Sequence, residues 1–202
     1  MAPQSLLIDT ATAAFQAGVL EGDRLLTFSL SINNTFPGFF TLLAPFVDGF
    51  DFDEIIFCEG PGKTSGIRAA LMFTRIFKIM RPQIRTYSYG TFALIDRIRA
   101  ALLPDAAGLV CIPKNTTQFY ISDENRVTLV DFDVLRARGK PIFCLETQPL
   151  KLAHRDITFI KYNLKNYATV LRQISAPNDA IETAYDPQND YKKWHPTFRN
   201  LP

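Results

Sequence analysis

The sequence of 202 residues has few of the residue types that build disulfide frameworks or metal centres. It contains only three cysteines, which are far apart, and two histidines, His154 and His195. Neither histidine has another ligand at the spacing that a zinc site requires. We therefore expect no metal and no cofactor. We expect Cys58, Cys111 and Cys144 to be buried thiols, because each follows a strand-like apolar run.

Charge is also scarce, over the whole chain and in one long segment. The 22 Lys and Arg residues nearly balance the 20 Asp and Glu residues, so no strong field favours nucleic acid or a membrane surface. No charged residue occurs between Arg24 and Asp48, but Pro37 and Pro45 interrupt this segment and exclude a membrane-spanning helix. The first residues lack the pattern of a signal peptide. We expect a cytoplasmic protein.

Phenylalanine, in contrast, is abundant and unevenly distributed. Eight of the 17 phenylalanines lie between Phe28 and Phe57. They fall on a predicted strand, a predicted helix and the next strand. This is more apolar volume than one small core needs, which indicates that part of it belongs to a partner.

The order of the predicted elements indicates two related α/β halves. Three strands open the chain and alternating helices and strands follow, and a shorter version of the same order begins near Pro104. We therefore divide the chain into residues 1–104 and residues 105–202, the second being a reduced half with an irregular tail. The predicted helices are Pro37–Val47, with Pro45 as a kink or early end, Ile67–Met80, Thr91–Leu103, Asp133–Arg138 and Tyr162–Ile174.

A glycine-rich loop joins a predicted buried strand to the second helix. Its sequence, Gly60-Pro61-Gly62-Lys63-Thr64-Ser65-Gly66, has the setting in which backbone amides can bind phosphate. A Walker A loop needs a further glycine five residues before Gly62, where this chain has Phe57. A tight turn that leads into a packed helix is therefore favoured over a P-loop.

The second predicted helix is apolar around most of its circumference. Arg68, Arg75 and Lys78 form one narrow stripe, which leaves an apolar arc of roughly 200°, wider than the ~100° that one core requires. Either the helix is fully internal, or its second face packs against a partner. The phenylalanine-rich helix before it has the same surplus, which favours a shared helical interface.

Two motifs in the first half resemble those of the TsaB (YeaZ) family. The segment from Leu7 to Thr12 resembles the family's opening strand, and the segment from Gly60 to Arg68 resembles its glycine-proline-glycine signature. The resemblance covers residues 5–100, although Lys63-Thr64-Ser65 stands where the family usually has Ser-Phe-Thr. It implies an α/β, actin-like or ribonuclease H-like (ASKHA) duplicated fold with two small α/β halves, similar by ancestry to the peptidase M22 grouping.

The resemblance also implies a function in tRNA modification. TsaB proteins are non-catalytic partners of the transferase TsaD, which makes threonylcarbamoyladenosine at adenosine 37 of tRNA, and they also join the ATPase TsaE. They pair with TsaD through helices and self-associate through the same surface when TsaD is absent. The implied role is a scaffolding subunit that is not an enzyme, with a TsaD-like and a TsaE-like partner, a homodimer when alone, and only indirect or weak tRNA contact.

Three sets of site residues follow from the resemblance. The nucleotide-facing vestige comprises Asp9, Thr10 and Thr12, and the glycine loop comprises Gly60, Pro61, Gly62, Gly66 and Arg68. The expected partner interface comprises Phe39, Leu42, Leu43, Phe46, Ala70, Phe73, Thr74 and Phe77. No catalytic residue and no metal ligand is implied.

Two alternatives remain open at this point. The first is an actin-like nucleotide-binding hydrolase that uses Asp9 and the glycine loop. The second adds direct tRNA contact, because eight Lys or Arg residues and a single acidic residue, Asp96, lie between Lys63 and Arg99. Such residues more often form a solvated stripe on a helix.

Overall fold

The computed structural model describes residues 2–12, 14–33, 35–62, 64–105, 107–123, 126–146 and 156–182. Over these ranges the strands are β1 (Gln4–Asp9), β2 (Phe15–Glu21), β3 (Arg24–Ser31), β4 (Glu54–Gly60), β5 (Arg85–Gly90), β6 (Leu109–Pro113), β7 (Gln118–Asp123), β8 (Arg126–Asp131), β9 (Ile142–Leu145), β10 (Ile157–Ile160) and β11 (Ala176–Pro177). The helices are α1 (Phe36–Gly49), α2 (Thr64–Met80), α3 (Thr91–Leu102), α4 (Phe132–Ala137) and α5 (Leu164–Ile174).

Two sheets with the same internal order form the framework. The first sheet has the order β11-β5-β4-β1-β2-β3, and the second has the order β10-β9-β6-β7-β8. In each sheet three antiparallel strands are extended by parallel strands beside the first of them. The predicted repetition of element order in two α/β halves is therefore confirmed.

The helices lie in layers around the two sheets. α1 and α2 cover one face of the first sheet, and α3 and α5 lie between that sheet and the second one. Alternate residues of β1 belong to the two layers, because Leu6 and Ile8 face α1 and α2 whereas Leu7 faces α3 and α5. A third cluster joins α4 to the second sheet and contains Cys111 and Cys144.

α1 begins at an ordinary cap and continues past an internal proline. The Thr35 side chain accepts a hydrogen bond from the Gly38 amide at 3.3 Å, and Pro37 occupies the first turn, where its missing N–H is not needed. Pro45 is exposed and does not end the helix, which continues to Gly49 because Phe46 packs into the core. The expected early end at Pro45 is therefore wrong.

The segment after α5 crosses the edge of the first sheet. β11 pairs with β5, and the Asn178 amide donates to the Ser88 hydroxyl at 2.9 Å. Ile181 is then buried in the cluster formed by α1, α2 and the first sheet, on the opposite face from α5. The part of the predicted tail from Ala176 to Glu182 therefore packs on the body, and the rest of the tail lies outside the described residues.

The three cysteines are buried thiols, as expected. His154, His195 and Lys63 lie outside the described residues. In the part of the chain that the structure describes, no group of three or more potential ligands could hold a metal ion. None of the helices found there has the length and apolar character needed to cross a bilayer.

Candidate functional site

The Asp9 carboxylate lies at the end of β1 and is completely buried. One oxygen, Oδ1, accepts hydrogen bonds from the Ala11 amide at 2.7 Å and from the Tyr89 hydroxyl at 2.8 Å. The other, Oδ2, accepts one from Nε2 of Gln16 at 3.2 Å. Both oxygens of this candidate phosphate-binding residue are therefore bonded to donors of the same chain.

The surroundings of Asp9 come from both halves of the chain. Gln16 on β2 not only donates to Asp9 but also accepts a hydrogen bond from the Leu164 amide, at the start of α5, at 2.8 Å. Tyr162 precedes the same helix, and its hydroxyl is buried without a hydrogen-bond partner of ordinary geometry among the described residues. The polar cluster thus connects the first sheet to the N-terminus of α5.

Burial dominates the protonation of this cluster. Desolvation raises the pKa of Asp9, and the Ala11 amide and the nearby Tyr162 and Tyr89 hydroxyls partly oppose that rise by favouring the carboxylate. Burial and the charge of Asp9 raise the pKa of both tyrosines. The same two causes raise the pKa of Cys58 to about 12. Because the thiolate is the nucleophile, a thiol with this pKa is not suited to covalent catalysis.

The glycine loop packs directly on the turn after Asp9. A Cβ on Gly66 would lie 2.8 Å from a ring carbon of Phe15 and 3.1 Å from Cβ of Thr10, so only glycine fits there. A Cβ on Gly62 would touch the Ala11 carbonyl oxygen at 3.5 Å. Gly60 has a φ of +98°, which glycine adopts easily, and the Gly60–Pro61 bond is cis. The structure therefore brings the two predicted site segments together.

This geometry resembles a packed turn more than an open phosphate site. Asp9 and Thr10 are fully buried, and the Thr12 hydroxyl donates to the Ala14 carbonyl at 3.1 Å. Thr10 Oγ1 is also buried, with no partner in the described part of the chain. α2 begins at Thr64, before the predicted Ile67, so Gly66 and the exposed Arg68 belong to the helix. A hydrolase would need a carboxylate that reaches a ligand, and Asp9 does not reach the surface.

The eight residues expected at a partner interface lie in the chain's own core. All are buried, and Phe39 contacts Phe15 and Phe73 with ring centroids 5.5 and 6.3 Å apart. The physical reason is that these eight residues lie on the sides of α1 and α2 that face the first sheet. The structure thus assigns to the core the set Phe39, Leu42, Leu43, Phe46, Ala70, Phe73, Thr74 and Phe77, and the expected residue list is corrected accordingly.

A different set of apolar side chains is exposed on the same two helices. We call it the outer apolar face, and it consists of Phe36, Phe40, Met72, Ile76, Ile79 and Met80. Ile79 is 78% exposed and Met80 is 72% exposed. The helices lie side by side, as the contact of Phe39 with Phe73 shows, and Phe40 packs on Phe39 at 5.4 Å. α2 is therefore not fully internal, and its outer side carries apolar side chains beside the exposed Arg68 and Arg75.

The sequence contained a signal for this face. The apolar arc of α2 was too wide for one core, and α1 has no charged residue from Phe36 to Val47. The sequence pattern alone does not identify the residues of the outer apolar face. Both sides of each helix carry apolar residues, so the pattern does not distinguish the side that faces the sheet.

Comparison with known proteins gives a fold but no family. No family model matches the chain, and no curated protein does. A solved structure described as an uncharacterized protein with similarity to peptidase YEAZ from Pseudomonas aeruginosa is similar with a TM-score of 0.61 and 16% identity, covering 92% of this chain and 99% of that one. YeaZ from Pseudomonas aeruginosa aligns with a TM-score of 0.45 and 19% identity over 64% of each chain. The chain has a YeaZ-like α/β fold of the actin-like (ASKHA) type, with two related halves.

Proposed function

We propose that this chain is a divergent TsaB-like protein, a non-catalytic scaffolding subunit of the tRNA threonylcarbamoyladenosine modification complex. In this proposal it binds a TsaD-like transferase through the outer apolar face. The observation that carries the proposal is that face itself, because it lies on the two helices to which the family resemblance assigns the contact.

The outer apolar face has the form that a helical interface requires. Two adjacent helices present large apolar side chains in rows, and such rows pack into the grooves of a second helix pair. Leaving these side chains in water costs about 25 cal/mol for each Å² of apolar surface that a partner would cover. A partner with two apolar helices would therefore gain both area and shape complementarity.

The polar cluster supports a role without catalysis. Asp9 is bonded on both oxygens and buried, and the Cys58 thiol stays protonated at neutral pH. The chemistry of the modification would then belong to the TsaD-like partner, with a TsaE-like ATPase as a further component in the cytoplasm. In the absence of its partner, the chain would form a homodimer through the same face.

The basic residues between Lys63 and Arg99 support at most indirect or weak tRNA contact. Arg75 and Lys78 donate to the Ile181 and Ile84 carbonyls of the same chain. Others form ion pairs within the chain, namely Arg81 with Asp51, Arg85 with Glu54 and Arg99 with Asp96. Cations that are engaged in this way contribute less to phosphate binding than free ones would.

Co-purification tests the proposal. The chain and a TsaD homologue from the same source are co-expressed, and the mass of the complex is measured by light scattering after gel filtration. We expect a stable complex that Ile79→Glu and Phe40→Glu each weaken at least about tenfold, as for a central interface residue. Val134→Glu is the matched control, because Val134 is 51% exposed on α4, away from the face. Absence of a complex with the wild-type chain, or equal affinity of all variants, would contradict the proposal.

A further inference from the structure

We propose that a cavity beside the end of α5 is a binding site for a small aliphatic carboxylate. The cavity has a volume of about 110 Å³ and is lined by Glu54, Ile56, Tyr87, Arg172 and Ser175. It lies on the face of the first sheet that α3 and α5 cover, opposite to the outer apolar face. The inference therefore goes beyond the proposed function and does not depend on it.

The cavity forms where α5 leaves the face of the sheet. Ile56 on β4 and Tyr87 on β5 are register partners, so their side chains lie side by side and form an apolar floor. Arg172 in the last turn of α5 and Ser175 at its end form the opposite wall. The chain then turns into β11, which pairs with β5 at the edge of the sheet. Two strands and one helix end thus enclose a space that stays partly open to solvent.

The ionic groups beside this space carry one net positive charge. Oε1 of the buried Glu54 lies 2.7 Å from Nη2 of Arg85, and Oε2 accepts a hydrogen bond from Nη1 of Arg172 at 2.6 Å. The Ser5 hydroxyl also donates to Oε2, at 2.6 Å. Both oxygens of Glu54 are therefore engaged, and two guanidinium groups face a single carboxylate. This excess of positive charge favours an anion over a cation.

Arg172 has donors that the fold itself does not use. Its Nη1 donates to Glu54 and to the Ser5 hydroxyl, whereas Nε and Nη2 donate to no atom of the described residues. These two nitrogens form one side of the guanidinium fork, which matches the two oxygens of a carboxylate. The Tyr87 hydroxyl likewise makes no hydrogen bond within the described ranges and supplies a third donor.

The acceptors at the end of α5 are already occupied. The Leu171 carbonyl accepts a hydrogen bond from the Ser175 hydroxyl at 2.6 Å, and the Arg172 carbonyl accepts one from the Ser175 amide at 3.4 Å. The free polar groups of the wall are therefore donors, which select a ligand whose polar end only accepts. The apolar floor of Ile56 and the Tyr87 ring suits an aliphatic tail better than a fully polar anion such as phosphate.

The volume of the cavity limits that tail to a few carbon atoms. One water molecule occupies about 30 Å³ of liquid, so the cavity has room for roughly four to six non-hydrogen atoms. Propionate falls in this range and carries both a carboxylate and a short apolar tail. It is therefore the probe of choice.

Titration of the full-length, isotope-labelled chain with sodium propionate tests the site by nuclear magnetic resonance. Ionic strength is held constant with sodium chloride. We expect saturable shifts in the amide signals of Arg172 and Ser175. Propionamide has the same shape without the charge, and it should bind at least about tenfold more weakly, because a charge-assisted hydrogen bond is replaced by a neutral one. Inorganic phosphate should also bind more weakly than propionate.

Two substitutions test the donors. Arg172→Lys keeps the positive charge beside Glu54 but removes the fork, so the affinity for propionate should fall at least about tenfold. Tyr87→Phe removes only the hydroxyl and should lower the affinity about threefold or more. Arg126→Lys is the matched control and should change nothing, because Arg126 is exposed on β8 in the second sheet.

Ser175→Leu tests the cavity independently of its charges. The larger side chain should fill the space and abolish saturable binding while all the arginines remain. Circular dichroism and thermal unfolding verify that each variant is folded.

Three results would overturn the inference. They are the absence of saturable shifts in the wild-type chain, equal binding of propionamide and propionate, and undiminished propionate binding by folded Arg172→Lys and Ser175→Leu chains. Tighter binding of phosphate than of propionate would overturn the assignment to a carboxylate. Because the assay contains no transferase and the cavity lies on the other face of the sheet, these results leave the proposed function untouched. Failure to bind a TsaD homologue would, conversely, leave the carboxylate site standing.

Discussion

Asp9 shows how a residue type that serves phosphate chemistry in one setting becomes structural in another. Its carboxylate is held by the Ala11 amide, the Tyr89 hydroxyl and the Gln16 amide, which together replace the hydrogen bonds of water. These donors do not fully offset the cost of burying the charge, because the net effect on the pKa of Asp9 is a rise. The protonation of this one residue therefore contributes to the stability of the fold.

Asp9→Asn should remove a pH dependence of stability. Burial raises the folded-state pKa above the ordinary value of 3.8, so the folded chain binds the Asp9 proton more tightly than the unfolded chain does. The free energy of unfolding of the wild type should therefore fall as the pH rises from 3.8 to the folded-state pKa, and this contribution should be constant above it. The contribution of residue 9 is absent in the variant, because asparagine does not titrate.

Urea unfolding of both proteins across this pH range measures the effect. The variant also loses the acceptor of the Gln16 amide, which shifts its whole curve by about 1–3 kcal/mol without changing its slope. The prediction therefore concerns the difference in slope alone. Parallel curves for the two proteins would show that Asp9 has the same pKa in the folded and unfolded states.

At the scale of the element, α2 is a helix with two apolar faces that serve different purposes. Its inner face packs Phe73 and Phe77 against the first sheet and α1, and Phe77 stacks between Phe52 at 5.0 Å and Phe73 at 5.4 Å. Its outer face presents Ile76 and Ile79 beyond the core. Removing a side chain from the inner face should therefore lower the stability of the fold, whereas removing one from the outer face should weaken association with a partner.

Phe77→Ala and Ile79→Ala should separate these two roles. The first deletes a ring from a packed stack and leaves a cavity, so we expect a loss of about 3–5 kcal/mol in the free energy of unfolding. The second removes a largely exposed side chain, and we expect a change within about 0.5 kcal/mol when the face is uncovered. Urea denaturation of both variants, at a concentration at which the chain is monomeric and the face uncovered, measures the two losses. Similar losses in the two variants would mean that the outer face is packed within the body.

The order of elements could be read from the sequence, but the assignment of faces could not. Alternation and turn residues located the strands, and the repeated order predicted two halves, because these signals are local. The interface residues were misassigned because hydrophobic periodicity marks apolar positions without showing which neighbour covers them. The burial of Asp9 was equally invisible, since Gln16, Tyr89 and Tyr162 approach it only in the folded chain.

At the scale of the whole molecule, the two halves share the central hydrophobic cluster. α5 belongs by sequence to the second half but packs on β2 and β3 of the first sheet. Its Arg172 donates to Glu54 on β4 at 2.6 Å, and Arg85 pairs with the other oxygen of that buried carboxylate at 2.7 Å. β11 then adds a strand to the first sheet. The first sheet is therefore incomplete without residues from the second half.

A fragment of residues 1–104 should not fold cooperatively on its own. Without α5 and β11 it would expose Leu7, Leu20 and Ile56, which are buried in the central cluster of the whole chain, and it would leave Glu54 without Arg172. Glu54 would keep Arg85 as a partner, so the main cost is the exposed apolar surface: each large apolar side chain that loses its cover costs about 1.5–3 kcal/mol, and three of them amount to a large part of the stability of a small domain. We expect a fragment without a sharp thermal transition, and recovery of that transition when residues 105–202 are added. A cooperative transition in the isolated fragment, with amide protection in β1 and β4 like that of the full chain, would show instead that the first half is an independent domain and that α5 only docks on it.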